Sequence, residues 1–391
     1  QMKKIALLII MAVMTASCGE RASSKRDADT GSEPGNATLS RQPASAGLPA
    51  GEVTAVAVNI VSVRPDRVSH VQALPTWRAT LGEYSNLNVD QPGQTRANLA
   101  IVPVGDDGRI SITSIARGHV VVDLLGWFRA SPEPAAAGRF VELPTPQRVL
   151  DSRFIAPHTP LASGEVRDVS MPPGVPAGEV DALVVTITAT RATHDGWVQA
   201  IPSGRPDAIG ATSTLNVSPG DTVANAAIVP VGADGQVALT AFFLADGRAD
   251  VIVDVTGYIT SPNAPTSGSG KFVAVRPGRA FDSRLGGGQL GDRSSVTVDA
   301  APLGVAPTAS GVVWNLTIVG ADRPGHAIGW ADGSPEPPTS LLNWSSPGAI
   351  RAASAITAVE SARARFSLDD GPVDAPAPIG HLVVDVFGYF T

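Results

Sequence analysis

Cysteine is almost missing: Cys18 is the only one in 391 residues, which excludes a disulfide framework and every multi-cysteine metal cluster. Histidine is sparse, six in all, so a histidine metal site would need several to converge. Lysine is confined to Lys3, Lys4, Lys25 and Lys271, and the formal net charge is −7, which argues against a nucleic-acid partner. Beyond one N-terminal apolar run, no stretch keeps a 3.6-residue apolar period, so helices are not expected. There is no HExxH, no GxSxG and no Walker-type loop. The GGGQLG string at 286–291 matches GxGxxG in letters only, because a strand-like run follows where a dinucleotide site needs a helix N-terminus. The expectation is no cofactor and no enzyme. What is present is 43% hydrophobic against 17% charged residues, the balance of a folded chain.

The N-terminus reads as an address. Lys3 and Lys4 precede an apolar run from Ile5 to Met14, and small residues lead to Cys18. Ten apolar residues are too few to span a bilayer. The segment resembles a bacterial lipoprotein signal, which implies cleavage after residue 17, lipidation of Cys18 and tethering to a membrane face by an acyl chain. Gly19 after the cysteine favours the outer membrane or cell surface under that resemblance. Residues 18–49, rich in Ser, Gly, Pro, Ala and charge, read as a disordered tether.

The remainder repeats itself three times. A closing segment appears as HVVVDLLGWF from His119, DVIVDVTGYI from Asp250 and HLVVDVFGYF from His381, and its aspartates, Asp123, Asp254 and Asp385, lie 131 residues apart each time. An SxLN element ends at Asn88, Asn216 and Asn343. An AN…VPVG segment follows at Ala97 and Ala224 and is eroded at Ala353. A block of type FV…RxxDSR precedes only two copies, at Phe140 and Phe272; the first copy lacks it. Short Val-, Ile- and Thr-rich segments between turn residues predict strands throughout. The expectation is therefore an all-β chain of three tandem β-sandwich or jelly-roll-like repeats: 50–130, 139–260 and 271–391, joined by Pro- and Ser-rich linkers. Val102 to Ile112, with its Asp-Asp-Gly, predicts a hairpin; the third copy has Ala362 and Arg363 there and should turn differently.

These motifs together resemble a tandem β-domain of bacterial secreted and cell-surface proteins, covering nearly all of residues 50–391. The resemblance implies surface attachment or binding rather than catalysis.

The RxxDSR blocks place Arg148, Asp151 and Arg153, and again Arg279, Asp282 and Arg284, in extended apolar chain. Two readings compete: a grip on a sugar or anionic polymer, and internal ion pairs, with the closing-segment aspartates Asp123, Asp254 and Asp385 as candidates, that pin strand register. Asn88, Asn216 and Asn343 read as turn caps or as carbohydrate contacts. Trp77, Trp197, Trp330 and Trp344 lie near expected loops and read as core or rim residues, or as sugar platforms. Trp197 falls where the other copies have His70 and His326.

The leading expectation is a non-catalytic, lipid-anchored surface protein with a structural, adhesive or scaffold role, whose partners are a membrane through its anchor and a surface polysaccharide or another surface protein. Alternatives are a carbohydrate-binding array, and a glycoside hydrolase or esterase with carboxylates converging between repeats. The missing first block adds an expectation: repeat 1 either has an open sheet edge or borrows the strand at Arg148.

Overall fold

The computed structural model describes residues 37–41, 48, 49, 51–76, 81–291, 293–370 and 376–391, with backbone alone for 37–41. The signal segment and Cys18, most of the expected tether, and Trp77 lie outside the described residues. Repeat 1 contributes β1 (Ala37–Arg41), β2 (Val53–Val63), β3 (Ser69–Pro75), β4 (Leu87–Val89), β5 (Arg96–Pro103), β6 (Ile110–Ser114) and β7 (His119–Arg129). Thus a strand, β1, stands within the stretch read as tether. Repeat 2 contributes β8 (Phe140–Asp151), β9 (Leu161–Ala162), β10 (Val166–Val169), β11 (Val180–Thr190), β12 (Gly196–Pro202), β13 (Leu215–Val217), β14 (Val223–Pro230), β15 (Val237–Phe243) and β16 (Arg248–Thr260). Repeat 3 contributes β17 (Phe272–Asp282), β18 (Ser295–Asp299), β19 (Gly311–Val319), β20 (Gly325–Ala331), β21 (Leu342–Trp344), β22 (Ile350–Ala358), β23 (Arg363–Asp369) and β24 (His381–Phe390).

Each repeat divides its strands between two antiparallel sheets. One has the order β1-β6-β3-β4 and recurs as β10-β15-β12-β13 and β18-β23-β20-β21. The other is β14-β11-β16-β8 in repeat 2, with β9 also on β16, and β22-β19-β24-β17 in repeat 3. In repeat 1 the described residues supply three strands of it, β5-β2-β7. The RxxDSR strands account for the difference: β8 pairs with β16 and β17 with β24, each inside its own repeat. Repeat 1 therefore does not borrow the strand at Arg148.

The six sheets form a six-bladed β-propeller of small sheets, which corrects the expectation of three tandem sandwich or jelly-roll-like repeats. The all-β content is as expected; the assembly is not. Each repeat's two blades share an apolar cluster, and a fourth cluster is common to all three repeats, with Ala57 and Ile101 from the first, Phe140 and Val184 from the second, and Val313 and Phe390 from the third. Phe128, Phe140, Phe272 and Phe390 form a linked aromatic group there, with ring centroids 4.5 to 6.2 Å apart. Strand periodicity fixes pairing within a sheet. It carries no information about which other repeat covers that sheet's second face.

Two local expectations are also corrected. Val102 to Ile112 is not a hairpin, because β5 pairs with β2 while β6 pairs with β1 and β3 in the other sheet. The turn carries the chain between blades. Gly105 is required there: a Cβ on it would stand 2.3 Å from the Thr76 carbonyl oxygen, and one on Gly232, its counterpart, 2.2 Å from that of Ser203. In the third copy Ser361 and Ala362 both have positive φ, 52° and 61°, and Glu360 and Arg363 exchange backbone hydrogen bonds across them. The supposed linkers are likewise paired with each other, since Ala135 and Ser267 exchange two backbone hydrogen bonds of 3.0 Å.

Candidate functional site

The RxxDSR strands bring three groups onto one guanidinium. Arg148 sits in register opposite Asp254 and donates from Nε and Nη2 to its two carboxylate oxygens at 2.8 and 3.0 Å. Its Nη1 lies 3.5 Å from Asp151 Oδ2, and Nη2 also reaches the carbonyl of Pro338, in repeat 3, at 3.2 Å. Arg279 repeats the pattern: Nε to Asp385 at 2.5 Å, Nη1 to Asp282 at 2.8 Å, and Nη2 to the carbonyl of Glu83, in repeat 1, at 2.6 Å. Arg153 and Arg284 fold back onto Asp151 and Asp282, with contacts of 2.8 and 2.6 Å.

The electrostatics follow from burial. Asp254 and Asp385 are each 1% exposed. Burial pushes Asp385 up to about 6, against the pull of Arg279; Asp254 moves the same way despite Arg148. Asp282 shows the opposite balance: the hydrogen bonds from Arg284 outweigh burial and bring it down to about 2. Asp123, the repeat 1 counterpart and also an expected ion-pair residue, has no arginine opposite it among the described residues, and burial alone raises it to about 6.

Each block faces a cleft toward the next repeat. The larger, about 1040 Å³, lies between repeats 2 and 3 and is lined by Arg148, Arg153, His326, Asn343, Asp369 and Asp370, among others. The smaller, about 200 Å³, lies between repeats 3 and 1 and presents Arg279, Arg284, His70 and Asn88 at matching positions. His326 is opposite Asn343 across a ladder, His70 opposite Asn88, and Trp197 opposite Asn216. Burial lowers the His326 imidazole, with Asp369 and Asp370 opposing. Arginines, amide and imidazole in one polar cleft suit a hydroxyl-rich or anionic ligand.

The asparagines of the SxLN elements have a loop role in every copy. Ser85, Ser213 and Ser340 each donate to the side-chain oxygen of the asparagine three residues on, at 2.8, 3.3 and 3.0 Å. Trp344 and Trp330 are core residues, 1% and 7% exposed, and Trp344 Nε1 donates to the Arg323 carbonyl at 2.7 Å. Trp197 is a rim residue stacked on Phe242, which is 49% exposed. Among the described residues, no group of three or more His, Cys, Asp or Glu side chains is placed to hold a metal.

The contacts that join the repeats were not read from the sequence, where Asn98 and Asn225 read as turn or edge caps or as carbohydrate contacts. Asn98 Oδ1 accepts from the Ser354 amide at 3.1 Å, and Asn225 Oδ1 from the Leu99 amide at 2.8 Å. Asn59 and Asn315 donate to the carbonyls of Ser213 and Ser85, each at 2.6 Å. Arg96 and Arg351, both buried, reach Asp221 at 2.7 Å and Asp90 at 2.9 Å across repeat boundaries. The signal was present: an arginine stands at or next to the start of this segment in two copies, Arg96 in RANLA and Arg351 in RAASA, where the second copy has VANAA.

No family model matches the chain, and no curated protein does. Among solved structures, it is similar to one described as "The Triple Jelly Roll Fold and Turret Assembly in an Archaeal Virus", at 8% identity over 90% of this chain and 82% of that one, with a TM-score of 0.17. A second, "Life in the extremes: atomic structure of Sulfolobus Turreted Icosahedral Virus", is 9% identical over 90% and 83%, with a TM-score of 0.18. At those scores the likeness carries no argument about this chain.

Proposed function

We propose that this chain is a non-catalytic structural or adhesive scaffold of the bacterial surface, lipid-anchored through Cys18. The observation that carries the reading is the use of its recurring polar side chains: Arg148 and Arg279 engage carboxylates of their own sheets and a carbonyl of the next repeat. Buried groups of this kind fix register and assembly. A ring of β blades on an acyl anchor presents a rigid surface to a polysaccharide or a neighbouring surface protein. The reading is tested by pulling down purified full-length protein with cell-wall polymers and whole cells. Incorporation of labelled palmitate into the chain, absent from Cys18→Ser, tests the anchor.

A second reading, carbohydrate binding, is favoured by the cleft of about 1040 Å³ with Arg153, His326 and Asn343 on its wall. Glycan-array binding lost in Arg153→Ala and His326→Ala supports it. Turnover of glycosides or esters in a substrate screen would instead promote the hydrolase alternative.

A further inference from the structure

Among the described residues, repeat 1 has no strand equivalent to the one that completes the corresponding sheet in repeats 2 and 3, and the groups that strand would satisfy remain in place. In repeat 2 the Ser152 hydroxyl donates to Asp250 at 2.8 Å and accepts from the Val251 amide at 3.0 Å. In repeat 3 the Ser283 hydroxyl pairs with His381 Nδ1 and accepts from the Leu382 amide, both at 3.0 Å. The residue at that position in repeat 1 is His119, and its Nδ1 is buried with no hydrogen-bond partner. Four residues on, Asp254 and Asp385 hold Arg148 and Arg279, while Asp123 holds no arginine among the described residues.

Among the described residues, nothing fills that position either. A Cβ on Gly257 would strike the Phe140 ring at 2.4 Å, and one on Gly388 the Phe272 ring at 2.3 Å, because the added strand lies there; a Cβ on Gly126 meets nothing within 4 Å. Along its edge β7 leaves Leu125 and Trp127 37% and 36% exposed, whereas their counterparts, Thr256 and Tyr258 in β16 and Phe387 and Tyr389 in β24, are half-buried or buried.

We infer that the free edge of β7 accepts an antiparallel strand from a separate polypeptide carrying an Arg-x-x-Asp-Ser-Arg block. Its first arginine meets Asp123 and its serine meets His119. Charge complementarity selects the arginine, because Asp123 is a half-buried carboxylate with no counter-ion among the described residues. The spacing selects the serine four residues later, as in β8 and β17. Main-chain pairing supplies affinity and the two side chains supply register. A chain of the same repeat class has this chemistry. The inference goes beyond the scaffold reading and does not depend on the anchor.

The test uses the full chain and a fluorescent peptide with the sequence of residues 140–153, FVELPTPQRVLDSR. Saturable binding is expected, with new hydrogen-exchange protection confined to β7. Asp123→Ala in the protein, or alanine for arginine at the ninth peptide position, should each weaken binding by about 30-fold, the scale for removing one partner of a desolvated charge pair. His119→Ala and the serine-to-alanine peptide should weaken it less. Circular dichroism and thermal melts of the protein variants confirm that they fold. Binding unaffected by Asp123→Ala, equal binding of a scrambled peptide, or no binding would each overturn the inference. Arg26 and Asp29 also have the Arg-x-x-Asp spacing, so binding that appears only after both are replaced by alanine would overturn the inference too, the occupant then being the chain's own N-terminal segment.

Discussion

Arg96 of β5 and Asp221, ahead of β14, form a 2.7 Å ion pair between repeats 1 and 2, with the arginine side chain only 3% and the aspartate 14% exposed. Arg351 of repeat 3 lies 3.7 Å from the same aspartate and 2.9 Å from Asp90. One small polar cluster thus touches all three repeats. Burial, followed by repulsion from Arg351, lowers the Arg96 guanidinium from its ordinary range, and Asp221 opposes both.

Removing one charge from this cluster leaves its partner uncompensated. Arg96→Ala should cost about 3 to 5 kcal/mol. Because the cluster spans all three repeats, scanning calorimetry of the parent protein should show one transition with equal calorimetric and van't Hoff enthalpies. Three separate transitions would show that the repeats unfold independently.

The same logic applies to the register pairs. Arg148→Ala and Arg279→Ala strand Asp254 and Asp385, each 1% exposed, and should each lower stability by about 3 kcal/mol in urea titrations. Arg148→Lys should recover only part of it, because an ammonium cannot reproduce the two-pronged contact with Asp254.

Asp123 makes a pH prediction. Its folded carboxyl is raised to about 6, above the ordinary 3.8, so the folded state keeps a proton that the unfolded state has already lost. The contribution to stability is full below about pH 4 and is lost as pH rises through 6. Asp123→Asn should therefore stabilise the protein at pH 7 and flatten its profile between pH 4 and 6, read from urea midpoints. Asp282, lowered to about 2, acts in the other direction: its contribution is present above about pH 4 and disappears as pH falls toward 2.

Three equivalent glycines should respond differently to alanine. Gly257→Ala and Gly388→Ala place a methyl against a phenylalanine ring and should cost about 1 to 3 kcal/mol. Gly126→Ala meets open space and should leave the thermal midpoint within about 1 °C, as for surface substitutions of small effect.

The tryptophans separate core from rim. Trp344→Ala empties a site that is 1% exposed and should cost about 3 to 5 kcal/mol. Trp197→Ala removes a ring stacked on exposed Phe242 and should cost less than about 2 kcal/mol. Of the two, only Trp197→Ala can report on sugar binding without unfolding the protein.

Legibility in the sequence followed the range of the interaction. Val-rich alternation and the 131-residue period gave the strands and the repeats, because neighbouring residues and copies carry that information. The pairing of Arg148 with Asp254 and of Arg279 with Asp385 was among the readings considered, since a charge recurring inside an apolar strand calls for a partner. The closure of six blades was not legible. It depends on Asn98 meeting Ser354 and Asn225 meeting Leu99, contacts between different repeats that no periodicity encodes. The Asp-Asp-Gly turn misled for a related reason: local turn chemistry is the same whether the chain doubles back within a sheet or passes to the next.

The two Pro- and Ser-rich connectors exchange backbone hydrogen bonds at Ala135 and Ser267, while the repeats they join are held together by buried side chains elsewhere. Peptide continuity at those points is therefore not what keeps the molecule whole. A chain severed near residue 133 should migrate as two fragments under denaturing conditions and as a single particle in native buffer. Injury at that point would not mean dispersal.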